Sequence, residues 1–135
     1  MSQTAPDERP DRVVLPIRVR YAECDPMQIA HHASYPVWME MGRTELLRVQ
    51  GANYRECEEN GIYFAVARLN IRYKKPAKYD DELELLVIGL PCAGVKVEHK
   101  YELRRGDELL MTAETTIVCI PDEGRAVPVP KGLLP

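Results

Sequence analysis

The chain has 135 residues, of which 45% are hydrophobic and 29% are charged, a length and composition typical of one globular domain. Its formal net charge of −3 gives no electrostatic reason to expect binding to nucleic acid or to an anionic membrane. The sequence shows no signal peptide, no membrane-spanning segment and no compact disulfide framework. We therefore expect a cytoplasmic protein that does not insert into membranes.

Hydrophobic patterning predicts a single folded domain over residues 13–121. It lies between a flexible amino-terminal tail, residues 1–12, and an irregular proline-rich segment, residues 122–135. Within the domain, the first predicted element is a strand that ends near residue 21, followed by a loop.

A long helix is predicted next, with Ser34 as its N-cap and Gly51 as its stop. Glu40 and Arg43 are one turn apart and are expected to form an ordinary pair on the helix surface. Gly42 is expected to let the helix approach a sheet closely. Six residues form the predicted apolar stripe: Tyr35, Trp38, Met39, Gly42, Leu46 and Val49.

The remaining sequence predicts a short helix and then four strands. Asn53 and Glu56 have the spacing of a capping box, and Gly61 is expected to end the short helix. Beyond it the apolar residues recur with a period of two, and short turns separate the runs. Helices set apart from a meandering antiparallel sheet define an α+β fold, in which the long helix packs on a curved sheet.

The loop before the long helix contains a potential reactive group. Asp25 lies there, and His32 follows at the expected start of the helix. Backbone N–H groups at a helix start stabilise negative charge, so a carboxylate beside them suits the hydrolysis of an activated carbonyl. An aspartate followed by proline is also common in plain turns, which is the competing interpretation of Asp25.

Two sequence blocks resemble those of a known family. The first is a Tyr-x-x-x-Asp core at residues 21–25, followed by His32 and by a helix that carries Tyr35, Glu40 and Arg43. The second block covers residues 73–83. Together they are similar to the hotdog-fold acyl-CoA thioesterases, above all to the 4-hydroxybenzoyl-CoA thioesterase group, including the tol-pal-associated acyl-CoA thioesterases.

The resemblance implies a hotdog fold, in which a curved five-stranded antiparallel sheet wraps around a long central helix. It also implies an enzyme that hydrolyses acyl-CoA to a carboxylic acid and CoA, with no metal or redox cofactor. Relatives pair two sheets edge to edge, so we expect a homodimer or a homotetramer.

The resemblance also assigns roles to individual residues. Asp25 is expected to act as nucleophile or general base, and the backbone N–H of His32 as the oxyanion donor. Three residues are expected to bind the acyl group: Tyr35, Gln28 and Trp38. Three basic residues near strand ends are expected to meet the CoA phosphates: Lys74, Lys75 and Arg104.

One position departs from the family pattern, and several alternatives stay open. Gln28 stands where the family usually has a small residue, most often glycine, which keeps a non-catalytic acyl-CoA-binding protein as an alternative. An acyl-thioester dehydratase or hydratase is another. Glu40 is a back-up catalytic candidate, and His99 is expected to be a core or interface histidine. The group of Cys24, Asp25, His31 and His32 has no known metal-ligand spacing.

Overall fold

The protein forms one five-stranded antiparallel sheet packed on one long helix. The structure, a computed structural model, describes residues 7–92, 94–121 and 124–135. The strands are β1 (Arg12–Arg18), β2 (Ile62–Tyr73), β3 (Glu82–Gly89), β4 (Lys96–Arg105) and β5 (Glu108–Pro121). Their order in the sheet is β1-β3-β4-β5-β2, and every pairing is antiparallel. The predicted α+β class and the hotdog arrangement are thus confirmed.

The long helix, α1 (Ser34–Val49), covers the concave side of the sheet, and a short helix, α2 (Tyr54–Glu59), follows it. The centre of the contact is apolar and includes Trp38, Met39 and Leu46, each at most 1% exposed. At Gly42 the helix comes so close to β3 that an added Cβ would lie 2.5 Å from a methyl group of Val87. The expected close approach at Gly42 is therefore confirmed.

Three details of α1 differ from the prediction. Ser34 is the first residue inside the helix rather than its N-cap, and its hydroxyl donates a hydrogen bond to the carbonyl of Glu23. Val49 is 47% exposed because it faces away from the sheet. Arg43, predicted on the surface, is only 8% exposed and makes no pair with Glu40 among the described contacts. The helix has a second covered face there, since α2 and β4 close over Arg43.

The two ends of the described chain contact each other and the segment between β3 and β4. The Arg9 side chain donates hydrogen bonds to the carbonyls of Gly132 and Leu133, and the N–H of Cys92 donates to the carbonyl of Pro135. Of the predicted terminal segments, residues 1–6, 122 and 123 lie outside the described residues. In the part of the chain that the structure describes, no helix is long and apolar enough to cross a membrane.

Candidate active site

The loop that carries Asp25 is held by a buried carboxylate that sequence reasoning missed. Glu23 is 8% exposed and accepts hydrogen bonds from the Arg20 N–H at 2.7 Å and from the Trp38 indole N–H at 2.6 Å. Burial alone would raise the pKa of Glu23, but these hydrogen bonds outweigh it and lower the pKa. An ionised Glu23 therefore joins the start of the loop to the core of α1.

Asp25 is half-buried in a tight turn. Its Oδ1 accepts a hydrogen bond from the N–H of Met27 at 2.8 Å, and its carbonyl accepts one from the N–H of Gln28 at 2.9 Å. Its own N–H donates to the carbonyl of Ile29 at 2.9 Å. One carboxylate oxygen is thus used to fix the turn, and in the described residues the other accepts no hydrogen bond.

Gln28 closes this turn in a left-handed backbone conformation, with a φ of 65°. A residue with a Cβ adopts that conformation at a cost of about 1 kcal/mol, whereas glycine adopts it freely. This conformation gives a physical reason for the glycine usual in the family. The Gln28 side chain is exposed and does not line the cleft described below, so it does not narrow it.

The segment between the turn and α1 presents one free amide. The N–H of Ala30 donates to the carbonyl of Ala77, that of His31 to the carbonyl of Glu23, and that of Ala33 to Nδ1 of His31. Within the described part of the chain, the N–H of His32 donates to no protein acceptor. An unused amide beside the first turn of a helix is the arrangement that an oxyanion donor requires.

The Asp25 turn rests on a second loop, residues 76–81. The N–H of Tyr79 donates to the carbonyl of Gln28 at 3.2 Å, which adds to the bond between Ala30 and Ala77. Arg105 fixes this second loop, since its guanidinium bonds to the Pro76 carbonyl at 3.2 Å and to Asp81 at 2.7 Å. Hydrogen bonds therefore join two loops that are far apart in sequence beneath Asp25.

A cleft of about 450 Å³ opens over these groups, and Asp25, His32 and Tyr35 all lie in its wall. Tyr35 is 3% exposed, and burial raises the pKa of its hydroxyl. Tyr73, on β2, stands edge-on to Tyr35 with ring centroids 4.9 Å apart, and its hydroxyl donates to the His32 carbonyl at 2.9 Å. The other wall residues are Ile29, Ala30, Lys74, Lys75 and Pro76.

The structure therefore brings together some of the predicted site residues and separates others. Asp25, His32, Tyr35, Lys74 and Lys75 share the cleft. Three predicted site residues do not line it, namely Gln28, Trp38 and Arg104. Trp38 is 1% exposed and packs behind Tyr35 with ring centroids 5.0 Å apart, and Arg104 pairs with Glu102 at 3.3 Å.

The sequence offered little to reveal the supporting residues. Tyr73 lies in the second family block, residues 73–83, but the block assigns it no role, and the sequence around Arg105 shows only a charged turn. Glu23 lay inside the Tyr-x-x-x-Asp core without a role of its own. Each acts through a contact that depends on the folded chain, such as the bond from Tyr73 to His32 across 41 positions.

Comparison with known proteins places these features in a family. A family model described as the thioesterase-like superfamily matches residues 19–135. The chain is 37% identical over 108 residues to the Bacillus subtilis protein named "Putative acyl-CoA thioesterase YneP". This match covers 79% of this chain and 78% of that protein. It is 31% identical over 115 residues to acyl-CoA thioesterase YbgC of Haemophilus influenzae, covering 84% of each chain.

A solved structure agrees with these relatives. The DHNA-CoA thioesterase from Staphylococcus aureus superposes with a TM-score of 0.82 at 28% identity, over 87% of this chain and 80% of that chain. The matched residues of the family model include the Asp25 loop, α1 and four of the five strands. The chain therefore belongs to the thioesterase-like superfamily and is a hotdog-fold thioesterase.

Proposed function

We propose that the protein hydrolyses acyl-CoA thioesters to a carboxylic acid and CoA, with Asp25 and the backbone N–H of His32 as the catalytic groups. One observation carries this proposal: Asp25 and His32 line the same cleft, and the backbone N–H of His32 donates to no protein acceptor among the described residues. The names of the relatives YneP and YbgC, both acyl-CoA thioesterases, support the substrate class.

In the proposed reaction the thioester carbonyl carbon lies beside Asp25, and its oxygen accepts the N–H of His32. The carbon–sulfur bond breaks after attack, CoA leaves as a thiolate, and water supplies the second oxygen of the acid and the proton that CoA gains. Asp25 either attacks the carbon itself, forming an acyl-aspartyl anhydride that water then opens, or removes a proton from the attacking water. The His32 amide stabilises the oxyanion by about 3 kcal/mol in both routes.

The decisive experiment compares the wild type with Asp25→Asn on a panel of aliphatic and aromatic acyl-CoAs, with release of the CoA thiol as the readout. We expect loss of at least about a thousandfold in kcat with acyl-CoA binding retained, because asparagine keeps the size but not the charge. Unchanged turnover in Asp25→Asn would reject the mechanism. If the wild type binds several acyl-CoAs and cleaves none, the protein is an acyl-CoA binder.

A single turnover in ¹⁸O-labelled water tests the anhydride route. Label in the Asp25 side chain identifies an anhydride that water opens at the aspartyl carbon. Label only in the released acid shows that water attacks the acyl carbon, either in the thioester itself or in an acyl-aspartyl anhydride. Both outcomes keep Asp25 as the catalytic carboxylate, so the experiment refines the proposal above.

Lys74 and Lys75 form the part of the cleft wall proposed to meet the CoA phosphates. The ammonium group of Lys75 forms an ion pair with the carboxylate of Glu108 at 3.1 Å, while Lys74 makes no ion pair among the described residues. We therefore expect Lys74→Ala to raise KM for an acyl-CoA and to leave KM for the matching acyl-pantetheine unchanged, since that substrate has no nucleotide. Arg104→Ala serves as the comparison outside the cleft and tests the prediction made for Arg104.

Self-association through β2 is also part of the proposed function. β2 is the longer edge strand of the sheet, and it leaves Val66 50% exposed, Leu69 45% exposed and Tyr63 41% exposed. An open edge with apolar side chains is suited to pairing with a second copy. Light scattering is expected to give at least the mass of a dimer. Val66→Lys places a charge on this apolar edge, so it is expected to shift the measured mass toward that of the monomer.

A further inference from the structure

A second polar group lies inside the protein, away from the cleft. Arg43 of α1, Tyr54 of α2, and His99 and Tyr101 of β4 form it, with Thr115 of β5 behind them; we call it the Arg43 cluster. The guanidinium of Arg43 donates to the Tyr101 hydroxyl at 3.2 Å, and that hydroxyl lies 2.6 Å from the hydroxyl of Thr115. Arg43 is 8% exposed and Thr115 is 2% exposed, so the cluster belongs to the interior.

A small cavity adjoins the cluster. Its volume is about 20 Å³, and its polar wall consists of Arg43, Gln50, Tyr54 and His99, while the rest of the wall is apolar. A space of that size holds an occupant of about one water molecule or one small ion. None of the residues that line it lines the cleft over Asp25, so the two sites are separate.

Among the described residues, no carboxylate lines this cavity or forms an ion pair with Arg43. Asp7 and Asp11 line a neighbouring pocket that shares Gln50 and His99 with the cavity, and they pair with Arg9 and Arg12 instead. Burial raises the pKa of both Tyr54 and Tyr101, so neither hydroxyl supplies a negative charge near neutral pH. Buried charges in proteins are normally paired, because an isolated one loses its hydration without compensation.

His99, which lines both this cavity and the neighbouring pocket, carries a second unsatisfied group. It is 9% exposed, and its Nδ1 has no hydrogen-bond partner among the described residues. Burial, followed by the charge of Arg43, lowers the pKa of His99 to about 4, so the ring is neutral at pH 7. A neutral imidazole can carry its proton on Nδ1, and this Nδ1–H can then donate a hydrogen bond. An anion beside Arg43 would favour this tautomer because it would accept that hydrogen bond.

We propose that this cavity is a binding site for a small monovalent anion, chloride in ordinary salt solutions, held by the guanidinium of Arg43 and the Nδ1–H of His99. The anion compensates the buried cation, satisfies the histidine and fits the available volume. A neutral water molecule would satisfy the hydrogen bonds but would leave the charge of Arg43 uncompensated. The site is independent of the proposed catalysis and stabilises the fold between α1, α2 and the sheet.

The experiment measures the unfolding equilibrium of the wild type in sodium chloride and in sodium gluconate at equal ionic strength and pH 7.5. Gluconate is too large for the cavity, so only chloride is expected to stabilise the protein in a saturable way. At a chloride concentration about ten times its Kd, the unfolding constant should be about tenfold lower than in gluconate. Equal unfolding constants in the two salts would overturn the proposal.

Variants and a crystallographic measurement complete the test. Arg43→Met should lose the chloride effect, whereas Arg48→Met, an exposed arginine on the same helix, should retain it. If Arg43→Met fails to fold, crystals of the wild type soaked in sodium bromide decide the matter. An anomalous bromide peak beside Arg43 and His99 supports the site; density without anomalous signal, an ordered water only, rejects it.

Discussion

The hydroxyl of Tyr73 donates a 2.9 Å hydrogen bond to the carbonyl oxygen of His32, which ties the end of β2 to the segment where α1 starts. That segment carries the amide proposed to bind the oxyanion, and Tyr73 also lines the cleft. The orientation of the amide thus depends on a side chain of the edge strand.

Removing this hydroxyl should weaken catalysis more than binding. We expect Tyr73→Phe to lower kcat about fivefold to tenfold. The hydroxyl makes one hydrogen bond to a catalytic segment, and losing about 1 kcal/mol of transition-state stabilisation has an effect of this size. The KM and the melting temperature should change little, because the ring keeps its packing on Tyr35. Steady-state kinetics on one acyl-CoA checks this. Tyr63→Phe, on the same strand, is the matched control and should behave like the wild type; equal kcat values for both variants would contradict the prediction.

The parts of the structure that sequence reasoning reached are those that local chemistry determines. Asn53 caps α2 through a 2.9 Å bond from the Glu56 N–H, as its capping-box spacing predicts. The strands after Gly61 follow from apolar periodicity and turns. Asp25 is predicted as a site residue from its family motif, which specifies the loop as well as the residue.

The parts that it missed depend on distant contacts. Arg43 looks like a surface residue on a helical wheel, because nothing in its neighbours shows that α2 and β4 fold over that face. The supports of the site have the same origin, since Arg105 reaches Pro76 and Asp81 only after the sheet has formed. Arg43, which is 8% exposed, contradicts the local rule that places charged residues in solvent.

The strained turn at Gln28 can be relieved. Gln28→Gly removes the cost of a φ of 65° but makes the unfolded chain more flexible, so we expect a net gain of up to about 1 kcal/mol in the free energy of unfolding. Urea denaturation measures it. Gln28→Ala is the matched control, since it removes the same side chain and keeps the Cβ, and it should give no gain. A gain of the same size in Gln28→Ala would show that the side chain, and not the backbone, is responsible.

The close approach at Gly42 should not tolerate a methyl group. In Gly42→Ala the new Cβ would lie 2.5 Å from Val87 and 3.1 Å from Leu85, within the core. We expect a net loss of about 1–2 kcal/mol in the free energy of unfolding, because overpacking outweighs the better helix propensity of alanine. Adding Val87→Ala makes room for the methyl group, so the double variant should be more stable than the sum of the two single effects predicts. Strict additivity would exclude a clash at this position.

Burial of His99 should make stability depend on pH. Its pKa is about 4 in the folded protein and 6.5 in an exposed chain, so between these values the unfolded state binds more protons and stability falls as pH falls. The contribution is complete above pH 6.5, and about 2 kcal/mol of it should be lost between pH 7 and pH 5. Urea unfolding in gluconate buffer measures this loss without a small anion beside Arg43, and the window lies above the range in which carboxylates titrate. His99→Gln removes the titrating group, so the stability of this variant should change less between pH 7 and pH 5 than that of the wild type. If the two proteins lose the same stability over this range, other residues are responsible for the loss.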